Sequence, residues 1–311
     1  MNNCIYHPKS PLNWNWLEFS GPDTQDFLQR LTSIDVKNLT PCEGRPGFFL
    51  NAHGKIQAYF TLWFIKSTEY AFEFNAGSGS IWKQKLLRLI DQYTFSEKFC
   101  LNETNQNLFA PTWILLNSEK ILTLNTYRTK TLPHGLRLNN HGTQSFDLYW
   151  YTLWGAFSEK QKWLNQTFLS NSVPQEITLE TIEKLRIAHM TPCVDHEITE
   201  NTIPLEIGLK MHIADNKGCY PGQEVIERIT SLGSPSRRLI QIEGTGLLPF
   251  PGEKILNLLD NIEIGEVTSV TRENGKFLAL GIVKKLFANH GTSVKLQNGS
   301  NAIILKVSSY V

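Results

Sequence analysis

The chain has 311 residues, 41% hydrophobic and 19% charged, with 30 basic against 29 acidic side chains. This is a globular composition, long enough for one large or two to three modest domains. A net charge of +1 offers no electrostatic footprint for nucleic acid, membrane or acidic polymer, so no direct nucleic-acid and no membrane partner is expected.

In chain order, residues 16–19 are strand-like and lead into SGPDTQDFLQRLTS. There Ser20 or Gly21 can cap a helix, Pro22 sits early, and Phe27, Leu28 and Leu31 form an apolar stripe. GFFLNAHGKIQAYFTLWFI reads as two strands around a turn at 52–55, with Ile56, Ala58, Phe60 and Leu62 on one face. EYAFEFNA alternates as another strand, and SIWKQKLLRLIDQY from Ser80 places Trp82, Leu86, Leu87 and Ile90 at helical spacing. Short strands are expected at 112–116, 121–124 and 146–153, then a helix near 159–168. PQEITLETIEKLRIAHM predicts a further helix, capped by Thr178, with Leu179, Ile182 and Leu185 facing inward. After Thr230 the texture changes. SLGSPSRR is a joint, and the remainder shows short strand-like runs separated by Gly, Asn and Pro, the pattern of a small β-barrel or sandwich. The mixed rhythm before the joint indicates an α+β arrangement.

No basic-then-apolar leader opens the chain, and AYFTLWFI at 58–65 is far short of the roughly 20 residues a spanning helix needs. A cytoplasmic location is therefore expected, and no mitochondrial transit segment. The five cysteines are scattered and never form a C-x-x-C pair, which argues against a disulfide framework and against a structural zinc site. No metal ligand set is expected.

One cysteine stands apart, in DNKGCYPGQEVIERI at 215–229. Pro221 suits a first helical position, with Val225, Ile226 and Ile229 as an apolar face. Cys219 then sits at the amino end of that helix, where the dipole and Lys217 favour thiolate over thiol. Gly218 and Gly222 allow close approach or left-handed angles. Packing of Cys219 as a small filler is the alternative. His212 lies seven residues upstream but completes no local nucleophilic triad.

KGCYPGQE at 217–224 resembles the signature of the YgfZ family of folate-binding proteins, relatives of the glycine-cleavage T-protein that serve in iron–sulfur protein assembly and repair. EKLRIAHMTP, EITENTIPLEIGL, GPDTQDFLQRLTSIDV, GFFLNAHGKI and the RRL at 237–239 are similar to other family segments in the same order. The resemblance implies two related ferredoxin-like-type halves around a central cavity, a T-protein-like fold, with a small C-terminal β-barrel. It implies a folate-binding core over 1–230, a joint at 231–238 and the barrel over 239–311. It further implies a tetrahydrofolate or one-carbon derivative as cofactor. The implied pocket walls are Ala58, Glu206, Lys217, Gly218, Tyr220, Gln223 and Glu224, with Cys219 as the functional thiol. Iron–sulfur client proteins or assembly machinery are the implied partners, with an indirect effect on tRNA modification.

The transferase relatives carry L-N-A-x-G-G-x-x-D-D in the hairpin, whereas this chain reads LNAHGKIQAY, with Ala58 and Tyr59 at the two acidic positions. Neither can supply a carboxylate. A later acidic position is Ala188. Leu232 replaces a basic residue common before the next loop glycine, although Arg237 and Arg238 keep charge nearby. Aminomethyltransferase activity is therefore not expected. The alternative is a folate-dependent one-carbon transferase or demethylase, and a pure interaction scaffold is the third reading.

Overall fold

In the computed structural model, residues 3–8, 14–75, 81–103, 110–143, 146–168 and 174–309 are described; Ser80, the expected helix start, lies outside them. The chain divides into two compact units. Unit 1 comprises Met1–Phe49, Ala58–Ile182 and Ala214–Tyr220, and unit 2 comprises Leu50–Gln57, Glu183–Ile213 and Pro221–Val311.

Unit 1 contains β1 (Cys4–Tyr6), β2 (Trp14–Ser20), α1 (Thr24–Leu31), β3 (Glu43–Leu50), β4 (Ile56–Lys66), β5 (Glu69–Asn75), α2 (Ile81–Tyr93) and β6 (Cys100–Glu103). It continues with β7 (Thr112–Leu116), β8 (Thr129–Thr131), β9 (Arg137–Asn140), β10 (Tyr149–Trp154), α3 (Phe157–Thr167) and β11 (Gln175–Glu176). The first sheet has the order β3-β4-β5-β2-β6 and the second β11-β1-β7-β10-β9-β8.

Strand alternation decides which face each residue serves. On the first sheet Leu17, Phe19, Ala58, Phe60, Leu62, Tyr70 and Phe72 pack under Phe27, Leu28 and Leu31 of α1 and Leu86 and Ile90 of α2. On the second sheet Ile114, Leu138, Tyr151 and Leu153 pack with Leu164 of α3. The opposite faces carry Trp16, Trp63 and Ala71 from the first sheet and Trp154 from the second, in one small buried cluster. Two sheets thus meet across a tryptophan-rich seam while helices cover their other faces.

Three local expectations change. α1 begins at Thr24 with Asp23 as its cap, so Gly21 and Pro22 form the preceding turn. Residues 121–124 are not a strand: Ser118 caps a short 3-10 turn, Thr123 takes φ +50°, and Leu122 and Leu124 still reach the core. α4 (Leu179–Ala188) buries Ile182 and Leu185, but Leu179 at its first position is exposed.

Unit 2 contains the remainder of α4, α5 (Gln223–Ser231), and β12 (Arg237–Thr245), β13 (Lys254–Asn257), β14 (Glu263–Glu273), β15 (Lys276–Lys284), β16 (Ser293–Leu296) and β17 (Asn301–Val307). The six strands close into a barrel in the order β12-β15-β14-β13-β16-β17. Closure follows from β12 pairing antiparallel with both β15 and β17, which leaves no open edge. Its interior is branched aliphatic, with Phe277 as the large filler. The hairpin tip at Leu50–Gln57 and the segment Glu183–Ile213 group with the barrel in this unit.

Candidate functional site

The thiol-bearing loop of unit 1 is fastened to the carbonyl end of α1. The Lys217 ammonium donates to Gln29 O at 2.5 Å and Thr32 O at 2.6 Å. Gln29 returns a bond, its Nε2 donating to Lys217 O at 2.7 Å, while its Oε1 accepts from Val36 N at 2.7 Å. Ala214 N donates to Ser33 O at 2.8 Å. The helix end carries partial negative charge and unpaired carbonyls, so a cation there satisfies both. Lys217 also lies 4.9 Å from the centre of the Tyr220 ring. Burial pushes its pKa down to about 8, against the opposing pull of Asp35.

Between these fixed points Gly218 takes φ +90° with open space where a Cβ would stand, and Cys219 is exposed. The helix expected from Pro221 begins at Gln223, capped by Gly222 in the left-handed region at φ +84°. Cys219 is therefore four residues ahead of α5 rather than on its first turn. Two of the three Lys217 N–H donors go to carbonyls. The lysine expected to favour the thiolate is thus engaged with the end of α1.

On β4, Ala58 is buried in the helix-covered core. Tyr59 points the opposite way, half-buried, its ring stacked on Phe48 at 5.1 Å. Burial pushes the Tyr59 phenol up, keeping it neutral. Nearby in charge terms is Tyr127, raised by burial to about 12, with the Arg45 guanidinium 5.3 Å from its ring. Of the two positions where transferase relatives carry acids, only Tyr59 is turned away from the core.

In unit 2, Gly222 answers to geometry as well as dihedral. A Cβ there would meet Asn51 O at 2.6 Å and Gly54 Cα at 2.9 Å. The hairpin tip is itself tight: Asn51 Oδ1 accepts from His53 N and Lys55 N. Gln223 donates to Glu227, and Glu224 is exposed. Glu206 is buried and fully engaged. Its carboxylate takes two bonds from Arg237, both 2.9 Å, and one from Ile203 N at 3.0 Å. Arg237 thereby joins the start of the barrel to the short 3-10 turn that carries Glu206. His212 is buried and its imidazole pushed down to about 4 by that burial, so it is neutral. The Cys193 thiol is pushed up to about 12, mainly by burial, which disfavours its thiolate. Among the described residues no group of three or more His, Cys, Asp or Glu is placed to hold a metal ion.

Of the predicted residues, Ala58, Lys217, Gly218, Cys219 and Tyr220 belong to unit 1, and Glu206, Gln223 and Glu224 to unit 2. Sequence reasoning missed Gln29, the partner of Lys217, and the buried Glu73. Alternation in EYAFEFNA assigns Glu73 only to the face opposite Tyr70 and Phe72.

No protein-family model matches the chain. Over 127 residues, 40% of the chain, it is 34% identical to a protein of Arabidopsis thaliana described as "Putative transferase At1g60990, chloroplastic". The match spans 29% of that protein's length. Among solved structures, the chain is similar over its full length to the glycine cleavage system aminomethyltransferase T of Bartonella henselae. The TM-score is 0.80 at 15% sequence identity, and 86% of that chain is covered. The fold is accordingly a T-protein-like α+β fold with a closed six-stranded C-terminal barrel. No described helix is long and apolar enough to cross a membrane.

Proposed function

We propose that this chain is a cytoplasmic tetrahydrofolate-binding protein of the YgfZ kind that supports assembly or repair of iron–sulfur proteins. On this reading its effect on tRNA modification is indirect, and it is not an aminomethyltransferase. The observation that carries the reading is the fastened loop: Lys217 and Gln29 hold 217–220 in place while the Cys219 sulfur is left exposed. A thiol used only as filler would be buried; Cys42 and Cys100 are exposed as well, so it is the fastening of the loop that sets Cys219 apart.

The fit to a pterin is testable on β4. A flat ring with polar edges needs a stacking surface and a few neutral donors and acceptors. Tyr59 is neutral and turned from the core, with its ring stacked on Phe48; a carboxylate, which transfer chemistry would use against developing positive charge, is missing at 58 and 59. When bound, folate would supply a one-carbon unit or a shaped ligand surface. Cys219, Tyr220, Gly218, Gln223 and Glu224 are the residues assigned to meet it. Lys217, Glu206 and Ala58 belong to the same assignment, each held by the bonds or packing described above. The division into a core over 1–230, a joint and a barrel over 239–311 belongs to the same proposal.

The test is replacement of the endogenous protein in cells by the Cys219→Ala variant. Iron–sulfur enzyme activities are expected to fall to the level of the deletion, with the variant protein still accumulating. Unchanged activities would remove the thiol from the mechanism. Turnover of a methylated amine with tetrahydrofolate would establish the one-carbon transferase reading instead.

A further inference from the structure

The seam between the two sheets of unit 1 contains a carboxylate sealed from solvent. The Glu73 side chain is fully buried, and it accepts from Trp63 Nε1 at 2.8 Å, Asn139 Nδ2 at 2.8 Å and Trp154 Nε1 at 2.7 Å. Trp63 stands on β4 of the first sheet; Asn139 and Trp154 stand on β9 and β10 of the second. His141, just after β9, brings Nε2 to 3.4 Å from Glu73 and to 3.0 Å from Thr152 Oγ1. Its ring stacks on Trp150 at 4.3 Å and meets Trp63 edge-on at 5.4 Å.

Thr, His and Glu together suggest a catalytic triad by composition, but the geometry excludes it. Both contacts fall on the same imidazole nitrogen, so no proton can be relayed through the ring. All three side chains are also buried. The chemistry is that of a lock. An indole N–H donates and cannot accept, so two of the three closest partners require Glu73 to be an acceptor at both oxygens. A proton on either oxygen meets a donor; His141 and Thr152 are the neighbours able to receive it.

We infer that Glu73 and His141 form a proton-sensitive latch: the ionised carboxylate ties the two sheets of unit 1 together, and its protonation releases them. Burial would raise the Glu73 pKa, but the His141 charge and the hydrogen bonds from His141, Thr152 and Trp154 outweigh it and hold the carboxyl below its usual range. The sign follows: a lowered folded-state pKa gives stability that is present above the ordinary carboxylate range and lost as pH falls through the folded value. The other charged or titratable groups at this seam are Arg137 on β9, 5.1 Å from the Trp16 ring, and Glu18, Glu69 and Cys42, which act on Arg137. Glu73 also acts on Arg137, against the lowering by burial, and Arg137 keeps its charge throughout the acid range.

The inference does not depend on folate or on Cys219. Its test is equilibrium urea unfolding of the full chain, followed by tryptophan fluorescence from pH 7 to acid. Glu73→Gln keeps the shape, yet either orientation of the amide sets its NH2 against an indole N–H. At pH 7 it is expected to raise the unfolding constant by about a hundredfold or more. The gap to wild type should close in acid, where wild type loses the same interaction. A gap under about threefold at pH 7, or one independent of pH, would overturn the inference. Should Glu73→Gln not fold, His141→Phe decides. It keeps the ring and removes the basic neighbour, and should move the acid transition up by about one pH unit; an unmoved transition counts against the latch.

Discussion

Glu73 of unit 1 and Glu197 of unit 2 are both fully buried carboxylates, and they are held by different partners. In unit 2, Glu197 is met by the Arg186 guanidinium at 3.2 Å, by the Thr268 and Ser269 hydroxyls at 2.6 Å each, and by Cys193 N at 3.0 Å. In unit 1, Glu73 is met by two indoles, an amide and an imidazole. A guanidinium keeps its charge at any accessible pH, so the compensation of Glu197 does not titrate from the cation side. Two of the donors to Glu73 are indoles, which offer a protonated acid nothing to bond, whereas the Thr268 and Ser269 hydroxyls beside Glu197 can accept as well as donate. A buried charge thus joins α4 to β14 through a guanidinium and hydroxyls in one unit, and ties two sheets through indoles and an amide in the other.

The largest effect expected from breaking this comparison is on Glu73. Glu73→Gln should cost about 3–5 kcal/mol at neutral pH, shrinking in acid. Arg186→Met in unit 2 leaves Glu197 with hydroxyl and amide donors only, and should cost about 3 kcal/mol by urea unfolding. A loss under about 1 kcal/mol would mean that the hydroxyls and Cys193 N hold Glu197 without the guanidinium.

Gly222→Ala sharpens the account of the octet. The left-handed φ and the contact with Asn51 O together should cost about 2–3 kcal/mol, read as a lower melting temperature. A neutral substitution would mean that the hairpin tip moves freely.

Lys217→Met removes two bonds to the end of α1 and should cost about 1–2 kcal/mol, with faster amide exchange confined to 214–220 and the last turn of α1. The pH dependence has a definite sign. With the folded-state value lowered to about 8 against 10.5 for an ordinary lysine, the unfolded chain binds the extra proton in between. Stability contributed by this group therefore rises with pH over that window, by at most about 1.4 kcal/mol per unit. Wild type should show that rise and the Met variant should not. The smallest effect belongs to Cys219→Ala. An exposed side chain with no packing role should change stability by less than about 0.5 kcal/mol, so any loss of cellular function would be chemical.

Much of the fold was legible because it is written in local periodicity. Ile56, Ala58, Phe60 and Leu62 fall on one buried face, and the barrel strands follow the apolar runs between Gly and Asn turns. The same alternation told that Glu73 leaves the helix-covered face, but not what waits there, since its partners are 66 and 81 positions away. Residues 121–124 misled because burial of Leu122 and Leu124 alternates without a strand. The octet announced a special loop, yet Lys217 could not be read as the clamp on α1 when its acceptors lie 185 and 188 positions upstream. Glu206 was similarly ambiguous until Arg237 stood beside it.

On the proposed function, this T-protein-like fold binds reduced folate without transferring from it. Isothermal titration of tetrahydrofolate into the wild-type chain and into Cys219→Ala tests it most directly. Saturable heat at one site per chain in both proteins, with no turnover of a methylated amine, is the predicted result. A flat titration of the wild type up to high micromolar ligand would contradict it.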